Sequence, residues 1–429
     1  MRLKKFYEIV FIFLFSVIWI TATAIRAYAS DWPQWRGPQR NGKSSETGLL
    51  KTWPEQGPRI LWSIDGLGRG HSSPSVKDNI VYATGMIDKT DYLQAIGPEG
   101  KILWKVPIGK GWFEAEKGVR STPTVEGNRI YVISGMGEIS CIDARKGETV
   151  WTVPAFEKFQ GEYGQWGIAE SLLLVDDKVI YTPAGKETTM VALDQNSGQT
   201  KWTSESLTDY TGYVSPILIR WGGKEVIANV TANYIFGVDC RDGKMLWKYR
   251  YSDLDTPTWH PDAPIINIPT PLFHQGNLYV TSGYDHVGVM FRLSEDASEI
   301  EFLWKDATLD CHHGGVVLVD GYVYGSNWID NARGNWVCIE WKTGKTEYEK
   351  KWQTKGSIIF ADGKLYCYEE RRGIMALVVP DPKDFVIDSQ FRVEAGEGPH
   401  WAHPAISNGI LYIRHGDTLT AYDIKDPVR

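Results

Sequence analysis

A chain of 429 residues with 42% apolar and 23% charged residues has an ordinary globular composition, which excludes disorder as its default state. Its 19 Trp, 43 Gly and 13% aromatics favour an all-β protein with many tight turns over a helical one. A net charge of -7, with no Lys/Arg block beyond the N-terminus, excludes nucleic acid as a main partner.

The chain opens on a basic stretch, Arg2, Lys4 and Lys5, followed by an apolar run over Ile9–Ile20. Ala27-Tyr28-Ala29 then supplies a small-x-small cleavage site, so residues 1–29 read as a secretory signal peptide. The alternative, an uncleaved anchor, is disfavoured because the apolar run is shorter than the ~20 residues a spanning helix needs. No Cys lies near the cleavage point, so the expected product is periplasmic or secreted, not a lipoprotein and without a transmembrane segment. Residues 30–57 follow as a Trp/Pro/Gly-rich extension, and 58–429 as one domain. Five cysteines are an odd number without disulfide spacing, and Cys141 and Cys338 read as small core residues.

From residue 71 onward a three-beat phrase returns. Its first beat is a Ser/Thr/Pro lead-in to an apolar strand: SSPSV from Ser72, STPTV from Ser121, VSPIL from Val214 and IPTPLF from Ile268. Its second is a turn followed by a β run ending on Tyr, as at Tyr82, Tyr131, Tyr181, Tyr279, Tyr324, Tyr366 and Tyr412. The third is a strand, a Gly turn and a strand with Trp four residues after the Gly: Gly100/Trp104, Gly147/Trp151, Gly198/Trp202 and Gly243/Trp247. Gly and Asp/Asn provide turn conformations, and the aromatic gives each unit a large apolar piece to bury against its neighbour.

Units of this kind start near His71, Arg120, Glu170, Tyr213, Asn267, His312, Lys355 and His400. The spacing predicts an eight-bladed β-propeller of four-stranded antiparallel blades, expected to be a monomer. The last unit lacks its Trp strand, while RILWSI (Arg59–Ile64) stands orphaned before the first. That N-terminal strand is therefore expected to complete the last blade and close the ring.

The phrase A-x-D-x-x-x-G-x-x-x-W, as in Ala192–Trp202, resembles the tryptophan-docking repeat of pyrroloquinoline quinone (PQQ) repeat propellers. The resemblance covers essentially all of residues 58–425, and the leader DWPQWRGPQRNGKSSETGLL is similar to that of secreted planctomycete-type members. The family contains quinoprotein alcohol dehydrogenases and cofactor-free members such as the outer-membrane assembly lipoprotein BamB, so fold leaves function open.

The unit starts converge on the propeller axis and place His71, Arg120, Glu170, Tyr213, Asn267, His312, His313, Lys355, His400 and His403 in one polar ring. The ring reads either as a solvated channel lining or as a ligand site. The dehydrogenase resemblance implies Ca²⁺ ligands at Glu170, Asn267 and Asp310, with Asp310 also the catalytic base, and PQQ contacts from Arg120, Glu170, Asn267 and Lys355. Against it, the adjacent Cys-Cys pair of those enzymes is missing and the blades are compact. Trp166 and Trp401 are candidate stacking partners for a planar ligand. In DCHHGG (Asp310–Gly315), adjacent histidines on a strand point to opposite faces, so His312 and His313 are not expected to share a metal. No G-x-S-x-G elbow supports hydrolysis. The first expectation is thus a binding or scaffold module for a periplasmic protein or a polar small molecule. The alternative is a PQQ- and Ca²⁺-dependent dehydrogenase.

Overall fold

Each repeat folds on itself: its beats become neighbouring strands of one antiparallel sheet, joined by tight turns. A computed structural model describes residues 31–254 and 266–427, so the expected signal peptide lies outside the described residues. Eight four-stranded sheets form the eight expected blades, and among the described residues helix is limited to a turn at Ala155–Lys158 and a 3-10 turn at Tyr251–Asp253. Blades 1 to 7 run in order over 75–110, 124–154, 173–203, 217–250, 272–306, 311–350 and 356–392. Blade 8 takes three strands from 405–423 and its fourth from Arg59–Ile64, which pairs antiparallel with Thr418–Asp423. Ring closure by the N-terminal strand is as the sequence predicts.

The core lies between blades. Ile139 and Cys141 of blade 2 pack with Val179 and Tyr181 of blade 3, and Val226 and Ala228 of blade 4 with Val289 and Phe291 of blade 5. All five cysteines are buried and free.

The docking tryptophans bridge blades in one recurring way. Trp62, Trp104, Trp151, Trp202 and Trp304 each donate their indole N–H to a carbonyl in the next blade, Pro98, Ala144, Gln195, Cys240 and Lys342, at 2.9–3.1 Å. Each ring also lies over that blade's turn glycine, respectively Gly100, Gly147, Gly198, Gly243 and Gly344. Gly243 shows why glycine is required: its φ is +74°, and an added Cβ would fall 2.4 Å from Trp202 Cε3. Gly243→Ala is expected to cost about 1–2 kcal/mol from the left-handed backbone alone, and more from the clash, read as a lower urea midpoint. An unchanged midpoint would show that the indole gives way freely.

The Ser/Thr lead-ins have a structural use as well. The backbone N–H of Ser73 donates to Thr122 Oγ1, that of Thr122 to Ser171 Oγ, and that of Ser171 to Ser215 Oγ, at 2.9–3.1 Å. These bonds link blade starts 1 to 4 around the channel mouth and satisfy backbone groups that the short inner strands leave unpaired.

The extension does not hang off the ring. Residues 31–50 cross the channel and bond to residues in, or immediately beside, seven of the eight blades. Trp32 exchanges backbone bonds with Val76 of blade 1, and Pro33 accepts from Val125 of blade 2. Arg40 donates to the Ser171 and Leu172 carbonyls beside blade 3, and Trp35 to Thr270 Oγ1 at the start of blade 5. Arg36 donates to the Val316 carbonyl of blade 6, Gly42 and Ser44 bond Phe360 of blade 7, and Leu50 bonds Ile424 after blade 8. No described helix is long and apolar enough to cross a membrane.

Candidate functional site

The blade starts do converge. They enclose a cavity of about 160 Å³, lined by His71, Arg120, Tyr213, His312, His313 and His403 from the expected ring. Trp166 and Trp401 also line it, as do Tyr284, the exposed Glu116 and Trp35 from the extension. The rings touch in sequence around the wall. Trp35 lies 4.5 Å from His403 and Trp401 4.9 Å from His71, measured between centroids. Tyr284 is 4.9 Å from His312, and Trp166 5.5 Å from Tyr213.

Hydrogen bonds fix this wall before any ligand arrives. Arg120 donates to the Trp166 carbonyl at 2.9 Å, and Tyr213 Oη accepts from the Trp166 N–H at 3.2 Å. His403 Nε2 donates to the His313 carbonyl at 2.8 Å, which leaves Nδ1 to accept from Arg36 at 3.4 Å. One tautomer is thereby set. Burial, reinforced by Arg120, Arg414 and His313, pushes His71 down to about 3. Burial also holds His312 and His403 well below the usual histidine range, helped by His313 and Lys355 at the former and chiefly by Arg36 at the latter. At neutral pH these three rings are uncharged, so the wall is apolar on its faces and polar at its edges.

The remaining expected residues sit outside the lining. Glu170 is 3% exposed, and its carboxylate accepts from the Thr182 N–H at 3.1 Å and the Thr182 hydroxyl at 3.4 Å. Asn267 donates to the Thr231 and Ala232 carbonyls and accepts from Ser282 Oγ at 2.7 Å. Asp310 accepts from the Asp285 N–H at 2.7 Å, and its Oδ1 is buried without a partner. Lys355 is 2% exposed, donates to the Asp330 carbonyl and pairs with Glu370 at 2.9 Å. His400 stacks on His415 at 3.6 Å, away from the cavity lining. Calcium takes six to eight oxygens. Of Glu170, Asn267 and Asp310, only Asp310 has an oxygen without a hydrogen-bond partner, and none of the three lines the cavity.

One expectation is corrected. His312 and His313 do not point to opposite faces: their ring centroids are 4.7 Å apart and both line the cavity. The alternation rule fails because pairing in strand Cys311–Val319 skips from Cys311 to Val316, a bulge containing Gly314 and Gly315.

A family model described as "Outer membrane protein assembly factor BamB" matches residues 89–349, more than half of the chain. The chain belongs to this family. A BamB from Salmonella typhimurium is 31% identical over 103 residues, 22% of this chain and 26% of that protein. The Escherichia coli BamB is 29% identical over the same length. These alignments span only about a quarter of the curated relatives. Among solved structures, BamB from Moraxella catarrhalis superposes with a TM-score of 0.62 at 17% identity, covering 85% of this chain and 99% of that one. A europium-containing methanol dehydrogenase superposes with a TM-score of 0.69 at 13% identity, covering 90% of each. At such identities the structural likeness speaks to the fold alone.

In this BamB-family chain, Trp35, Glu116, Tyr284 and Glu370 were site-region residues that the sequence reading missed. Trp35 stands in the quoted leader, whose paired Trp and Arg residues (Trp32, Trp35, Arg36 and Arg40) carried a usable signal. Glu370 sits in the turn after strand Lys364–Glu369, where an acidic residue reads as solvated surface; nothing local marks it as buried.

Proposed function

We propose that this protein is an exported binding module whose recognition site is the cavity at the channel mouth, and that it takes an extended polypeptide bearing aromatic side chains. The observation that carries the reading is the pre-set wall of Trp35, Trp166, Trp401, Tyr213 and Tyr284 interleaved with neutral imidazoles. Such a wall can stack on an aromatic side chain and bond a peptide group at its edges. Arg120 and the rim carboxylate Glu116 add one charge of each sign for orientation. Family membership supports a protein as the partner, and the words "outer membrane protein assembly" in the relatives' name support a segment of an outer-membrane protein as the first probe.

The test is calorimetric titration of the purified chain with peptides from such segments, with and without their aromatic residues. Trp401→Ala and Trp166→Ala are each expected to weaken binding more than ~10-fold, as buried aromatic anchors do. Binding that ignores both substitutions and the peptide's aromatics would remove the cavity from the proposal. In parallel, Ca²⁺-dependent uptake of PQQ with alcohol-dependent dye reduction would replace this reading with the dehydrogenase.

A further inference from the structure

At the side of the cavity nearest blades 6 and 7, three ligand-type atoms come together. One nitrogen each of His312 and His313 and a carboxylate oxygen of Glu370 all lie within 4.8 Å of one another. Glu370 is 3% exposed, and its Oε2 is buried without an aligned hydrogen-bond partner. His313 Nε2 approaches that oxygen to 2.7 Å, an ion-pair distance, yet neither atom completes a hydrogen bond there. We propose that His312, His313 and Glu370 form a binding site for a first-row divalent transition metal of the zinc type.

The atoms around the cluster are arranged as a metal's supporting shell would be. His312 Nε2 bonds Tyr284 Oη at 2.9 Å, which leaves Nδ1, buried and unpartnered, as the free donor. Ligating histidines usually have their second nitrogen anchored in this manner. The other Glu370 oxygen is held by Lys355 at 2.9 Å, which orients the carboxylate while drawing some of its charge. Two imidazoles and one carboxylate are a known set for zinc and its neighbours, whereas calcium and magnesium prefer oxygen alone. Ligands bonded at 2.0–2.1 Å to a tetrahedral ion lie roughly 3.4 Å apart, so small ring rotations close the set. Because His312 and His313 line the cavity, the remaining coordination position faces it, where a water or a donor from the bound partner would sit. The site does not depend on the polypeptide reading: metal and peptide are titrated separately.

The experiment uses untagged protein stripped with chelator and titrated with Zn²⁺ by calorimetry and with Co²⁺ by visible absorption. One Zn²⁺ per chain is expected, with Co²⁺ bands of a low-coordinate N/O site. His312→Ala and His313→Ala are each expected to weaken binding at least ~100-fold, and Glu370→Gln at least ~10-fold. Glu370→Gln strips the buried Lys355 of its ion pair, so the two histidine variants carry the test if that variant does not fold. Asp176→Asn, in a separate and more exposed grouping with Glu225 and Cys240, serves as the control and is expected to change nothing. No stoichiometric binding by the wild type, or binding that survives both histidine substitutions, overturns the site.

Discussion

Trp32→Ala is expected to lower stability by about 3–5 kcal/mol, although the residue belongs to no blade. Trp32 is 1% exposed and shares an apolar cluster with Val76, Val81, Ile359, Ala405 and Ile406, which come from blades 1, 7 and 8. Truncation would open a void where three blades meet and loosen the backbone bonds between Trp32 and Val76. The measurement is urea unfolding followed by circular dichroism, with the midpoint and slope fitted together. A loss below about 1 kcal/mol, the range of ordinary surface substitutions, would mean that residues 31–50 decorate the ring and do not hold it.

The second large effect is a fall in stability as pH rises from 6.5 to 8, removed by combining Glu170→Gln with Asp310→Asn. Burial raises the Glu170 carboxyl to about 8, against the opposing pull of its Thr182 bonds and of Arg40. Burial likewise raises Asp310 to about 8, with the Asp285 N–H opposing it and the Asp285 charge adding to it. In both cases the folded chain keeps a proton that the unfolded chain releases above its ordinary carboxyl range. The contribution is therefore fully present below that range and is lost as pH climbs towards 8. His71 and its neighbours act in the opposite sense: depressed in the fold, they add stability as pH rises to about 6.5 and little beyond it. Above 6.5 the histidines have only a few tenths of a kcal/mol per ring left to add, so the carboxyls dominate the window from 6.5 to 8, and a net loss of about 2 kcal/mol is expected there. A flat wild-type profile would show that both carboxyls ionise normally, and a sloping double variant would assign the effect elsewhere.

Sequence and structure agree where a residue's neighbours are set by the repeat. Tyr and Gly at fixed offsets, and Trp in most units, revealed eight blades, and the orphan RILWSI revealed the closing strand, because each pairing is a local hairpin or its one missing member. The convergence of His71, Arg120, Tyr213 and His312 followed from the same symmetry. What the repeat does not encode stayed hidden. Glu170 and Asn267 occupy the same position in their blades as Arg120, yet they turn to Thr182 and to the Thr231 carbonyl instead of the cavity. A repeat position places the backbone, whereas side-chain direction depends on whichever partner lies nearest. The bulge at Gly314–Gly315 broke the two-residue period on which the argument against a shared metal rested. Trp35 was hidden for another reason: the leader's paired Trp and Arg residues mark it as more than a linker, but a single, non-repeated segment offers no second copy from which to infer where it docks.

Closure by the first strand also decides how the molecule would yield to a pull. Arg59 faces Asp423 at one end of the pairing and Ile64 faces Leu419 at the other, so the two chain ends leave blade 8 side by side. Tension applied there would peel the pair one bond at a time, the mechanically weakest way to load a sheet. The chain does not present those ends to tension directly. Leu50 bonds Ile424, and Asp426 bonds Gly48, immediately outside the seam. Further upstream, Arg36 and Arg40 anchor the segment inside the channel. A tug from either terminus would therefore meet the clasp across the channel before it reached the zipper, and the ring would open last where its topology is most exposed.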